Sequence, residues 1–238
     1  MRAAGVPFVI ATGRMYRSVL PYARAAGGDE PVVCYQGALV AEPATGRFLL
    51  HEPIPLELAR ETIAAVEAEG FALNCYVDDE LYVAEVTEHA RAYAEFQHIP
   101  ITPVGSLLDW LDAPPTKLVA VDAPDALDRL KRRLEAHFGE RLFIAKSLPY
   151  FLEFASPHVS KGSGLAFVAA HLGFDLARTV AFGDGENDRE LLAWAGYAVA
   201  VENADDALKE RADWVIPGPR EEGVAQAIEA LLAAREQT

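Results

Sequence analysis

The stretch Phe182-Gly183-Asp184-Gly185-Glu186-Asn187-Asp188 stands where an apolar run, Thr179 to Phe182, gives way to a helix-like segment. In open parallel sheets ligands bind beyond the carboxyl ends of the strands, so polar side chains at this position are candidates for function. Asp184 and Asp188 lie four residues apart, and a hard cation such as Mg²⁺ prefers carboxylate oxygens. The alternative is a turn whose aspartate caps the next helix. The density of acidic residues and glycines favours a cation site.

Two further loops also lie at the ends of predicted strands or helices. Ala11-Thr12-Gly13-Arg14 ends an apolar run that begins at Val6, and a hydroxyl with nearby N–H groups at a helix entrance can hold a phosphate. Lys161, in Ser160-Lys161-Gly162, starts a predicted helix, where the macrodipole disfavours a cation unless an anion is near. Alone, each has an ordinary alternative, a Thr-Gly turn or a solvated lysine. Together, the three loops predict a site for phosphoryl transfer.

The alternation of strands and helices predicts how the chain is organised. Residues 1–52 and 157–238 alternate apolar runs with helical stretches, which is typical of an open parallel sheet with right-handed crossovers. The run Val6 to Ala11 is predicted to be a buried parallel strand of that sheet. Residues 53–156 mix helices with paired strands, so we predict a separate α+β unit inserted into the α/β core.

These motifs resemble those of the haloacid dehalogenase superfamily. Val9-Ile10-Ala11-Thr12-Gly13-Arg14 is similar to its motif II, Lys161 to motif III, and Gly183-Asp184-Gly185-Glu186-Asn187-Asp188 to motif IV. The Lys-Gly and Gly-Asp-Gly-x-Asn-Asp forms, with a large insert between motifs II and III, resemble the Cof-like (class IIB) phosphatases. The resemblance covers essentially the whole chain.

The resemblance implies a Rossmann-like core with an α+β cap, and Mg²⁺-dependent hydrolysis of small phosphorylated metabolites such as sugar phosphates. It implies that Asp184 binds the metal directly, that Asp188 supports the metal shell, and that Lys161 positions the nucleophile. The implied residues fall into three groups: catalytic Thr12, Lys161 and Asp188; substrate-binding Thr12, Gly13, Arg14, Lys161 and Asn187; and metal-binding Asp184 and Asp188.

Two features depart from the family pattern. Gln36-Gly37-Ala38 stands where this branch usually has Asn-Gly-Ala, so a substrate contact there is not carried over. No Asp-x-Asp occurs in the 238 residues, whereas the family's motif I supplies its nucleophile and its general acid/base from such a pair. We therefore expect a chain that lacks the first strand and most of the first helix, with the nucleophile upstream. The alternatives are an inactive phosphate- and metal-binding homologue, a phosphomutase, or a dedicated sugar-phosphate phosphatase.

The net charge and the distribution of apolar residues limit the kinds of partner that the protein is expected to bind. The formal net charge is −15 and no run of Lys and Arg is longer than three residues, which argues against nucleic acid as a partner. No apolar run approaches the about 20 residues that span a bilayer, and the first residues do not have the pattern of a signal peptide. We expect a cytoplasmic monomer or homodimer that binds a small phosphorylated substrate. Asp78-Asp79-Glu80 is predicted to be a solvated turn.

Overall fold

Helices and strands alternate along residues 1–235, the part of the chain that the computed structural model describes. The strands are β1 (Val32–Cys34), β2 (Leu39–Ala41), β3 (Phe48–His51), β4 (Leu73–Val77), β5 (Glu80–Val83), β6 (Thr102–Pro103), β7 (Lys117–Val121), β8 (Phe143–Leu148), β9 (Phe151–Ala155), β10 (Val180–Gly183), β11 (Tyr197–Val201) and β12 (Trp214–Ile216). The helices are α1 (Tyr16–Ala26), α2 (Leu56–Ala68), α3 (Glu88–Gln97), α4 (Leu107–Trp110), α5 (Pro124–Phe138), α6 (Lys161–Leu172), α7 (Arg189–Trp194), α8 (Asp206–Lys209) and α9 (Gly223–Arg235). None of these helices is long and apolar enough to cross a membrane.

The last third of the chain forms a parallel sheet in the order β10-β11-β12. Helices connect its strands, as the alternation in the sequence predicts, and apolar side chains from β10, β11 and α7 pack into one core cluster. The outer edge of β10 carries no partner strand among residues 1–235, and Val180 at its start is 40% exposed. This confirms the predicted α/β character of the core and leaves one sheet edge open.

The amino-terminal part of the core departs from prediction in two ways. Strands β1, β2 and β3 form a separate antiparallel sheet, so the two ends of the chain do not share one sheet. The predicted strand from Val6 to Ala11 is reduced to an isolated parallel bridge between Ala11 and Val33. Thr12 N–H donates to Val33 O at 2.8 Å, and Val33 N–H donates to Ile10 O at 2.8 Å. These two hydrogen bonds hold the stretch against β1 at one point, and its pairing does not continue into a regular ladder.

The predicted α+β insert forms a six-stranded sheet in the order β6-β5-β4-β7-β9-β8. One face packs against α2 and α5 in a core that belongs to the insert alone. On the other face, Tyr76 and Val119 join a cluster that includes α3 of the insert and Met15, Tyr16 and Val19 of the core. The insert therefore docks on the core through this second face. The domain bounds 1–52, 53–156 and 157–238 stay a prediction.

Candidate functional site

The loop after β10 is shaped around Asp188, which is buried. The Asp188 Oδ2 atom accepts hydrogen bonds from the N–H groups of Asp184 at 3.0 Å and of Gly185 at 3.2 Å. A side chain on Gly183 would place its Cβ 2.7 Å from the Cβ of Asp188, so glycine is needed there. Asp188 thus folds the loop back on itself and leaves the Asp184 side chain exposed at the strand end.

Lys161 is the first residue of α6, as predicted, and it is buried. A capping box between Ser160 and Ser163 fixes the start of this helix. The Lys161 Nζ atom donates to Asp188 Oδ1 at 2.6 Å. The anion that a buried cation at a helix start requires is therefore the Asp188 carboxylate, which joins the Lys161 loop to the loop after β10.

The Thr12 loop meets the other two through Gln36 and Gly37. Gln36 N–H donates to Thr12 O at 3.1 Å, and the Thr12 hydroxyl oxygen accepts from Arg14 N–H at 3.1 Å. Gly37 has φ +104° and packs against the Ser160 carbonyl, where an added Cβ would lie 2.0 Å from the oxygen. Only glycine satisfies both constraints. The close approach brings the start of α6 beside the Thr12 loop, so the structure gathers all three predicted loops in one place.

Arg14 extends from this loop toward the insert. Its Nη1 donates to Ser18 Oγ at 3.1 Å and to Gln97 Oε1 at 3.3 Å, at the end of α3. Its guanidinium also lies 5.2 Å from the ring centroid of Phe96. These contacts make Arg14 a bridge between core and insert. Its predicted contact with substrate stays a prediction and would require the side chain to exchange these partners.

Sequence reasoning missed a buried polar network that links the loops to the insert. The Asn187 Nδ2 atom donates to Gln36 Oε1 at 3.0 Å, and Gln36 Nε2 donates to Glu153 Oε2 at 2.8 Å. Lys117 Nζ lies 3.4 Å from Glu153 Oε1 and donates to Gly13 O at 2.8 Å. The available signal was a lysine and a glutamate inside otherwise apolar strands, where unpaired charges are costly.

The prediction that Asp78-Asp79-Glu80 is a solvated turn is wrong for Asp79. This residue is 8% exposed and its carboxylate accepts from the backbone N–H groups of Tyr16 at 3.0 Å and Arg17 at 2.9 Å. The Tyr35 hydroxyl donates to the same carboxylate at 2.7 Å. Burial raises the pKa of Asp79 although these donors lower it. A residue of the insert therefore caps the first helix of the core.

The carboxylates of Asp184 and Asp188 offer the oxygen ligands that Mg²⁺ prefers, but they are only two. Partial desolvation and the neighbouring Asp188 carboxylate raise the pKa of Asp184, which a bound cation would reverse. Asp188 already holds Lys161 and two N–H groups, so Asp184 is the carboxylate better placed for direct contact. No group of three His, Cys, Asp or Glu residues that could hold a metal occurs within residues 1–235. Mg²⁺ commonly binds through one or two carboxylates plus phosphate and water oxygens, and the site fits that pattern.

Fold and site together define a capped α/β protein whose threonine, lysine and acidic loops meet beside the carboxyl end of β10. The chain belongs to the haloacid dehalogenase-like hydrolase family, whose model matches residues 1–228. This confirms the superfamily indicated by the three motifs.

Individual relatives cover nearly the whole chain. A Streptococcus pyogenes serotype M6 protein, provisionally named a phosphatase, is 30% identical over 95% of this chain and 86% of its own length. The pyridoxal phosphate phosphatase of Escherichia coli K12 is 28% identical over the same shares. A crystal structure from Thermotoga maritima is 31% identical with a TM-score of 0.81, covering 96% of this chain and 86% of that one. A subclass IIB sugar phosphatase shares the fold, with a TM-score of 0.82 at 21% identity and shares of 97% and 87%.

Proposed function

We propose that this chain forms the phosphate- and metal-binding part of a Mg²⁺-dependent phosphatase that hydrolyses small phosphorylated metabolites. The observation that carries the proposal is that Thr12, the Lys161–Asp188 ion pair and Asp184 lie on three loops that meet around Gln36 and Gly37. The family assignment and the phosphatase names of the relatives support it. The names of a pyridoxal phosphate phosphatase and a sugar phosphatase support a small phosphorylated substrate. We place the activity in the cytoplasm, in a monomer or homodimer.

Each loop residue has a chemical task in this proposal. Mg²⁺, held by Asp184 with Asp188 behind it, would neutralise charge on the phosphoryl oxygens. Lys161 and the amide of Asn187 would donate hydrogen bonds to the phosphate, and Lys161 would also orient the attacking carboxylate. The Thr12 hydroxyl oxygen already accepts from Arg14 N–H, so its own O–H is available to donate to the phosphoryl group.

We propose that the carboxylate nucleophile comes from residues outside these 238, through an aspartyl-phosphate intermediate. No Asp-x-Asp occurs in the sequence, and the two aspartates of the site, Asp184 and Asp188, already have other roles. Asp188 is bound to Lys161 and to two N–H groups, while Asp184 is assigned to the metal. The open edge of β10 and the one-sided pairing of Ala11 support a further strand between them. By this proposal, the 238 residues alone do not turn over substrate.

Phosphate release from a panel of phosphorylated metabolites tests the proposal on a form that carries an in-frame Asp-x-Asp-Gly-Thr segment before residue 1. Asp184→Asn should abolish Mg²⁺-dependent turnover while the protein stays folded, because the carboxamide is a poor ligand for a hard cation. Asp206→Asn is the matched control, because Asp206 is an exposed aspartate whose carboxylate pairs with Lys209, away from the loops of the site. Unchanged turnover in Asp184→Asn would overturn the metal assignment. An extended protein that binds phosphate without hydrolysing any ester would favour the alternative of a non-catalytic binder.

A further inference from the structure

Two charged residues of the insert are buried as a pair beside the core. Lys117 on β7 is 2% exposed and Glu153 on β9 is 4% exposed. Burial disfavours the ammonium form of Lys117, but Glu153 and Tyr93 outweigh it and raise the Lys117 pKa. The ammonium also lies 5.2 Å from the ring centroid of Tyr76. The Glu153 carboxylate and the Tyr76 ring thus favour the charged form of Lys117 inside the interface between insert and core.

Lys117 contacts the Thr12 loop at the peptide group between Gly13 and Arg14. Its Nζ donates to Gly13 O at 2.8 Å. The Gly13 carbonyl and the Arg14 N–H belong to the same planar trans peptide and point in opposite directions. The Arg14 N–H in turn donates to the Thr12 Oγ1 atom at 3.1 Å. Holding the Gly13 carbonyl thus keeps the Arg14 N–H on the Thr12 hydroxyl oxygen and directs the O–H away from that side.

Glu153 acts on the loop after β10 through Gln36. Its Oε2 accepts from Gln36 Nε2 at 2.8 Å, while its Oε1 accepts from Ser147 Oγ at 2.6 Å. With its nitrogen held by Glu153, the Gln36 amide presents its oxygen to Asn187 Nδ2 at 3.0 Å. The orientation of the Asn187 amide is therefore set by a carboxylate of the insert.

We propose that Lys117 and Glu153 are positioning residues that orient Thr12 and Asn187 for phosphate binding, so that the phosphate site is complete only when the insert is docked. This rests on the proposed function and adds a coupling between cap and site. A role in stability alone does not require charges here, because well-packed apolar residues commonly replace a buried ion pair without loss of stability.

Equilibrium binding of inorganic phosphate to the 238-residue chain, with Mg²⁺ present, tests this coupling. The double variant Lys117→Met/Glu153→Met removes both charges together, so that no lone charge is left buried. We expect it to stay folded, with a lower unfolding free energy because Gly13 O and Gln36 Nε2 lose their partners. We expect its Kd for phosphate to rise about tenfold, because two orienting hydrogen bonds are lost. The ¹⁵N signal of the Asn187 side-chain amide should shift in the same variant.

The matched control is Lys146→Met/Asp128→Met, which removes an ion pair of 2.6 Å that lies wholly within the insert. Its phosphate Kd and Asn187 signal should match the wild type. Gln36→Met is a second probe, which breaks only the path from Glu153 to Asn187 and should raise the Kd several-fold even if the double variant fails to fold. A folded double variant, or Gln36→Met, with wild-type phosphate affinity would overturn the inference. A wild-type chain that binds no phosphate would instead overturn the proposed function and, with it, this inference.

Discussion

Replacing Asp79 with alanine should uncouple the insert from the first core helix. Helix α1 has no capping side chain of its own at Met15, and Asp79 supplies the cap from the insert through the N–H groups of Tyr16 and Arg17. Loss of a helix cap costs about 1 kcal/mol. Leaving the buried Tyr35 hydroxyl unpaired adds about 1–3 kcal/mol. We expect Asp79→Ala to lower the unfolding free energy by about 3 kcal/mol.

Urea unfolding of Asp79→Ala beside Asp78→Ala measures this cost. The two aspartates are neighbours with similar positive φ values, 51° for Asp78 and 58° for Asp79, so alanine meets the same backbone strain at either position. Asp78 is exposed, and its substitution should cost no more than about 1 kcal/mol. Equal losses in the two variants would refute the role of Asp79 as a cap.

The difference in unfolding free energy between the wild type and Asp79→Ala should also depend on pH. Because burial raises the pKa of Asp79 in the folded state, folding takes up a proton between the unfolded and folded pKa values. The contribution of this carboxyl to stability is therefore smallest above the folded pKa and grows as the pH falls through it. The gap between wild type and Asp79→Ala should widen from neutral pH toward pH 4. A gap that narrows over that range would show that the folded pKa is lowered instead.

Two further predictions concern the site and the insert. Gly37→Ala should lower the unfolding free energy by about 2–4 kcal/mol in urea unfolding, because its φ of +104° strains alanine and the added methyl meets the Ser160 carbonyl. Gly70→Ala is the control, because Gly70 also has a positive φ but has open space around it. Equal losses in the two variants would contradict the clash at Gly37. Exchanging residues 53–156 for the insert of a relative should transfer substrate preference and leave the Mg²⁺ requirement unchanged in a phosphatase assay; a preference that stays with the core would contradict a specificity role of the cap.

Local pattern was enough to predict the parallel sheet at the carboxyl end and the three loops. Lys161 starts a helix as expected, and Asp188 lies in the glycine-rich loop after an apolar strand. These features depend on residues close together in the chain, where periodicity and loop chemistry are informative. The stretch from Val6 to Ala11 was mispredicted because an apolar run shows that a segment is suited to a strand but not how far it pairs, and within residues 1–235 this segment makes one isolated bridge with β1.

The contacts between insert and core were not predictable from pattern. From the sequence, Asp79 looks like part of an exposed acidic turn. In the structure it is buried against α1, more than sixty positions away along the chain. Gln36 was recognised as a departure from Asn, but its partners Asn187 and Glu153 lie on two other segments of the chain. Such pairings arise from docking two units together, and no periodicity in one strand or helix encodes them.

The most direct test of the account is a steady-state assay with p-nitrophenyl phosphate and Mg²⁺ on two proteins, the 238-residue chain and a form extended upstream with an in-frame Asp-x-Asp-Gly-Thr. Water attacks phosphate monoesters extremely slowly, and Thr12, Lys161 and Asp184 bind or polarise a phosphate without replacing a carboxylate nucleophile. We predict turnover by the extended form and none above background by the 238-residue chain. Comparable turnover by both proteins would contradict the account and would show that the nucleophile lies within these residues.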